Sequence, residues 1–121
     1  MNERSVLDAV RLEASRLGIR LWRNNSGCAY TQDGRLLRYG LANDSAAVND
    51  VMKSADLIGI RPMVIEPWMI GGIAGIFVSV ECKASDWKPD NSPRTKAQIV
   101  WRDLITALGG EAYITTHAGI L

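Results

Sequence analysis

The chain has 121 residues, 14 Lys and Arg against 13 Asp and Glu, and 47% hydrophobic residues, which suits one self-supporting domain over 1–121 and is too short for two. Two cysteines, Cys28 and Cys82, exclude a disulfide framework, and a single histidine, His117, far from both, excludes a zinc site built with them. The N-terminus is charged and the longest apolar run, Met69 to Val80, is glycine-broken and short of the roughly 20 residues of a membrane span, so the expectation is a soluble protein of a reducing cytoplasm with no membrane partner.

Residues 3–17 repeat apolar positions at Val6, Leu7, Val10, Ala14 and Leu17, the period of an amphipathic helix, with Asn2 to cap its start and Gly18 to end it. Ile19 to Arg23 reads as a short strand. Cys28–Tyr30 and Leu36–Tyr39 flank Gln32-Asp33-Gly34-Arg35, a hairpin signal because Asp-Gly tolerates positive φ. Asn43-Asp44 opens a small helix through about Lys53. Asp56 to Ile60 is the next strand, followed by a loop containing Pro62 and Pro67. Gly75 to Lys83, rich in β-branched residues, is the clearest strand. A polar loop, 84–92, precedes a second long helix from Pro93 or Thr95 to Leu108; Gly109-Gly110 ends it, and Ala112 to Thr116 is the last strand. The order α-β-β-β-α-β, with a small inserted helix, predicts an α/β core: a mixed sheet with helices against it.

Charge is unevenly spread. Residues 1–40 carry seven arginines against four acids, 41–81 two bases against five acids, and 82–121 five bases against four acids. An acidic middle between basic flanks suits a cation held beside a polyanion, and it equally suits an ordinary mixed surface.

In the strand 75–83, Ile76, Val78, Val80 and Cys82 alternate with Phe77, Ser79, Glu81 and Lys83. The first set belongs in the core. The second sets a carboxylate and an ammonium side by side at the strand's C-terminal end, where open α/β sheets place ligands. Glu81 is there a hard oxygen ligand for Mg²⁺, and Lys83 can hold a water without occupying the metal; a surface ion pair on an edge strand explains the same pattern. Asp56 opens an apolar strand 25 residues earlier, so adjacent strand ends can bring both carboxylates around one cation. Alone, it would be a turn aspartate.

Taken in order, Trp22-Arg23-Asn24-Asn25-Ser26-Gly27, Gly34-Arg35, Arg38-Tyr39-Gly40, Ser54-Ala55-Asp56-Leu57-Ile58-Gly59, Val80-Glu81-Cys82-Lys83, Gln98 with Trp101, and Gly109-Gly110 resemble the VRR-NUC family, a branch of the PD-(D/E)XK nuclease superfamily. The resemblance spans nearly the whole chain and looks like the stand-alone members found in bacteriophages and bacteria. One departure is that Ala55-Asp56 stands where the superfamily's loose "PD" would be. The resemblance implies a restriction-endonuclease-like core and a DNA endonuclease dependent on Mg²⁺, with Mn²⁺ able to substitute. It implies that Asp56 and Glu81 bind the metal together with the backbone carbonyl of Cys82, and that Lys83 positions the attacking water. Gln98 on the next helix turns toward the site, although Thr95-x-x-Gln98 also reads as a capping box. A first-helix glutamate completes such sites: Glu3 leads, and Glu13, on the apolar stripe, competes. A homodimer acting on branched, Holliday-junction-like DNA is also implied.

Arg23, Asn24 and Asn25, leaving a strand into a glycine turn, can donate to phosphates, or serve the turn itself. Lys88, Arg94 and Lys96 surround the loop after Glu81-x-Lys83, a place for backbone contacts or for solvated charges. Trp22, Trp68 and Trp101 read as core or interface residues, and Trp87, in a polar loop, as a candidate for base stacking. Three rival functions stand beside the branched-DNA nuclease: a nuclease acting on linear DNA, a non-catalytic nucleic-acid-binding module that keeps the fold, and a small scaffold protein.

Overall fold

The computed structural model describes residues 1–121. Helix α1 (Glu3–Arg16), strands β1 (Arg20–Arg23), β2 (Gly27–Tyr30) and β3 (Leu36–Tyr39), helix α2 (Ala46–Val51), strands β4 (Leu57–Val64) and β5 (Ile73–Cys82), helix α3 (Pro93–Ala107) and strand β6 (Glu111–Thr115) follow in chain order. Four strands form one mixed sheet, β1-β4-β5-β6, antiparallel except where β5 meets β6. The β2–β3 hairpin stands apart as its own two-stranded sheet. The result is an α/β fold with helices against a mixed sheet, as the element order predicts. No helix is long and apolar enough to cross a membrane.

The α1 stripe is buried as its period requires: Val6, Leu7, Val10 and Ala14 pack with Leu57, Val78, Val80 and Cys82 in the main core. Each large side chain there contributes roughly 1.5–3 kcal/mol by leaving water. Asn2 caps the helix, its side chain accepting from the Ser5 amide at 2.8 Å, and Gly18 ends it at φ +74°. At Gly59 the sheet leaves no room for a side chain: a Cβ there would lie 1.8 Å from the Arg20 carbonyl oxygen.

Several expectations need correcting. Ser45, not Asn43 or Asp44, caps α2, its hydroxyl accepting from the Val48 amide. Asn43 is instead buried and ties down the hairpin, donating to the carbonyls of Gly27 (2.6 Å) and Tyr39 (3.0 Å). Pro62 lies inside β4 rather than in a loop. The Asp56 carbonyl accepts from Asn24 of the β1 side, and alternation turns the Pro62 nitrogen to that same edge. β1 pairs no further than Arg20–Ile60, so the missing N–H costs no ladder bond. Ser92, not Thr95, caps α3, accepting from the Thr95 amide at 3.1 Å, which frees Gln98 from any capping role. Of the tryptophans expected in core or interface, Trp101 is buried in the core, whereas Trp22, 49% exposed, and Trp68, 79% exposed, are not core residues.

Candidate metal and nucleic-acid cleft

β5 is an inner strand, and its C-terminal half is buried on both faces: Val78, Val80 and Cys82 face α1, while Ser79, Glu81 and Lys83 face the α3 side. A surface ion pair on an edge strand is thereby excluded. α3 covers this second face with two polar contacts, Trp101 Nε1 donating to Ser79 Oγ at 2.8 Å and Gln98 Nε2 donating to Glu81 Oε1 at 2.7 Å.

Asp56 and Glu81 meet because β4 and β5 are antiparallel, Leu57 opposite Val80. One bond joins them directly and a second ties Asp56 to the residue after Glu81. The Asp56 amide donates to Glu81 Oε2 at 3.1 Å, and the Cys82 amide donates to Asp56 Oδ2 at 2.9 Å. Lys83 Nζ lies 3.7 Å from Glu81 Oε1 and over the ring of half-buried Trp87, 5.4 Å from its centroid. One face of Trp87, the proposed base-stacking residue, therefore meets the ammonium.

The electrostatics of this corner favour a cation. Burial and then the neighbouring Asp56 charge push the Glu81 carboxyl up to about 7, against the opposing pull of Lys83. Burial, and then the charges of Asp56, Glu81 and Glu3, push the Cys82 thiol up to about 12, which makes it inert. Gln98 Oε1 is buried with no donor. The chain gathers no cluster of three His, Cys, Asp or Glu side chains. The donor set is thus two carboxylates and the Cys82 carbonyl, which in an extended strand points to the same side as its amide, toward Asp56. That set fits Mg²⁺, which takes few protein oxygens and keeps several waters.

These carboxylates open onto a cleft of about 660 Å³. Arg23, Asn24 and Asn25 line it from the end of β1, Arg94 and Gln98 from α3, and Arg38, Tyr39 and Cys28 from the hairpin. Lys53, Asn49 and Asn43 complete the wall. Asn24 is less free than its position suggests, because its side-chain amide donates to Ser54 Oγ and the Ala55 carbonyl, both at 2.8 Å. It holds the approach to Asp56 in place. Lys88 and Lys96 are exposed but lie outside the lining, as does Glu3, although Glu3 is close enough to act on Cys82. Glu13 is turned away, accepting from the amides of Gly119 and Leu121, the latter at 2.6 Å, so it pins the C-terminal segment. Neither first-helix glutamate lines the cleft, and of the two only Glu3 is left without a structural partner.

Arg38 and Lys53 carry positive charge into the cleft and were not among the expected phosphate contacts. Both have sequence signals, Arg38 in Arg38-Tyr39-Gly40 and Lys53 directly before Ser54-Ala55-Asp56. No protein-family model, curated protein or solved structure matches the chain.

Proposed function

We propose that the chain is a metal-dependent DNA endonuclease of the PD-(D/E)XK type, in its VRR-NUC branch. The observation that carries this reading is the buried Asp56–Glu81 corner, with Lys83 3.7 Å from Glu81, opening onto a cleft walled by Arg23, Arg38, Lys53 and Arg94. Asp56, Glu81 and the Cys82 carbonyl would hold Mg²⁺ or Mn²⁺, which when bound supplies Lewis-acid stabilisation of charge on the phosphate. The four cations receive the DNA backbone by charge-assisted hydrogen bonds. Lys83, fixed between Glu81 and Trp87, orients the attacking water, and Gln98 Oε1 offers that water an acceptor. Branched DNA is the substrate we favour, on the strength of the sequence resemblance.

The test incubates pure protein with matched linear, flapped and four-way DNA in Mg²⁺, Mn²⁺ or EDTA. Cleavage should need the metal and favour the junction. Asp56→Ala, Glu81→Ala and Lys83→Ala should each lose orders of magnitude in rate while still binding DNA. Full activity in a folded Glu81→Ala protein overturns the assignment. Binding without cleavage in any metal identifies a non-catalytic module instead, and equal cutting of linear and junction DNA removes only the branch preference.

A further inference from the structure

The β2–β3 hairpin is a finger held at both ends. At its root, buried Asn43 donates to the Gly27 and Tyr39 carbonyls. At its tip the Thr31 amide donates to the Arg35 carbonyl at 2.8 Å, and the Arg35 amide donates to the Thr31 hydroxyl at 2.9 Å. Gly34 turns the chain there at φ +84°. Between root and tip run four cross-strand pairs: Gly27–Tyr39, Cys28–Arg38, Ala29–Leu37 and Tyr30–Leu36.

Alternation puts the second and fourth pairs on one face of the hairpin and the first and third on the other. The root pair and the Cys28–Arg38 pair line the cleft, and the Ala29–Leu37 pair does not. Beyond its root the hairpin therefore bears on the cleft with the face of Cys28 and Arg38. Further out, the same face carries Tyr30 and Leu36, which are 77% and 45% exposed. Packing Tyr30 on Leu36 helps to hold the two strands together, but any large apolar side chain would do that. It does not account for an aromatic ring left bare beside a cleft walled by cations.

Charge selects the occupant. The sole acid of residues 27–39 is Asp33, which is engaged by Arg35 at 3.1 Å and by the Thr31 hydroxyl. Arg38 gives one nitrogen to Asn43 at 3.0 Å and meets no carboxylate. A cation that tracks the backbone and a ring that takes the face of a base are together the means by which proteins hold single strands. Two residues of strand separate Arg38 from Leu36, roughly 7 Å, or about two nucleotides of stacked strand. A base inside a duplex has both faces covered by its neighbours, so only an unstacked base can offer one to Tyr30. Trp87 is less able to do this, since Lys83 lies over its ring.

We propose that Tyr30, backed by Leu36, is a stacking platform for an unpaired DNA base about two nucleotides from the phosphate held at Arg38. The inference rests on the nuclease reading and deepens it: the hairpin selects DNA in which a strand has left its duplex at the cleft.

The test uses gapped DNA with 2-aminopurine at successive unpaired positions and fully paired duplex of the same length, at fixed salt, in EDTA and in Ca²⁺. Wild type should bind the gapped DNA and quench the probe at one position. Tyr30→Ala and Tyr30→Leu should each weaken that binding roughly 10-fold and lose the quench, while Tyr30→Phe keeps both. Binding of paired duplex should be the same in all four proteins. Tyr30→Leu retains the apolar cross-strand pair, so it stays informative, with circular dichroism as the check, if Tyr30→Ala loosens the hairpin. A Tyr30→Leu protein that binds and quenches as the wild type does overturns the proposal, because packing on Leu36 would then be the whole role of Tyr30. Equal losses on gapped and paired DNA overturn it too, as does wild-type binding without a quench at any unpaired position. A wild type that binds neither DNA overturns the nuclease reading together with the platform.

Discussion

Gln98 and Glu81 share one satisfied hydrogen bond and one unsatisfied atom. Gln98 Nε2 donates to Glu81 Oε1 at 2.7 Å, while Gln98 Oε1, equally enclosed, has no donor. Glu81 is itself strained by burial and by the Asp56 charge. Glu81→Gln should therefore stabilise the metal-free protein at pH 8 while abolishing cleavage. It removes a buried negative charge, and a half-turn of the Gln98 amide lets Oε1 accept from the new amide group. A rise of a few °C in Tm by calorimetry in EDTA is expected; a fall of that size would show that Glu81 is a structural group rather than a held-open ligand.

The cleft wall predicts which cations meet phosphate. Lys53→Ala and Arg94→Ala should each weaken DNA binding across sequences and lower the slope of log affinity against log salt by about 1. Lys88→Ala and Lys96→Ala, outside the lining, should change that slope far less. Fluorescence anisotropy from 50 to 300 mM salt on the order used for such titrations reads both. Equal slopes in all four variants would move the DNA path off the cleft.

Asn43 is the hinge pin of the hairpin wall. It donates to Gly27 and Tyr39 and accepts from Arg38 Nη1 at 3.0 Å, all from a buried position. Asn43→Ala should cost about 1–3 kcal/mol, because a buried side chain loses two bonds to part-buried carbonyls and one from Arg38. Hydrogen exchange should show protection lost first in residues 27–39, and DNA affinity should fall with it.

The Arg61–Glu111 pair gives a pH dependence. Hydrogen bonds from the guanidinium hold the Glu111 carboxyl below its usual 4.5. A depressed folded value means stability that is present above about 4.5 and lost as pH falls through the folded value. The Tm gap between wild type and Glu111→Gln should be largest at pH 7 and shrink toward pH 3. A gap that is constant with pH would assign the effect to packing of Tyr113, whose hydroxyl donates to the same carboxylate at 2.6 Å.

Much of this architecture is local and so was legible in the chain. The α1 stripe, the Asp33-Gly34 turn, the β5 alternation and the glycines after both long helices follow from periods of 3.6 and 2 and from φ preferences, which neighbours in sequence impose. Asp56, Glu81 and Lys83 stood out for the same reason, being charges at the ends of apolar strands. What the chain left open depends on distant partners. Whether Glu81 and Lys83 are a surface pair or a buried site turns on β5 being an inner strand roofed by α3, and pairing order is not written in either strand. Glu3 and Glu13 sit on one helix; only the C-terminal segment returning to bond Glu13 separates their roles. Arg38 becomes a cleft residue because Asn43, four and more residues away in sequence from what it binds, ties down the hairpin, and Lys53 because its amide donates to the Ala97 carbonyl of α3. Val64 and Ile73 read as ordinary apolar strand positions until the tertiary fold ends β1 and β6 short of them and leaves both exposed. Side-chain spacing is set by bonds along the chain, whereas burial is set by which surfaces meet, and that is decided only when the whole sheet has formed.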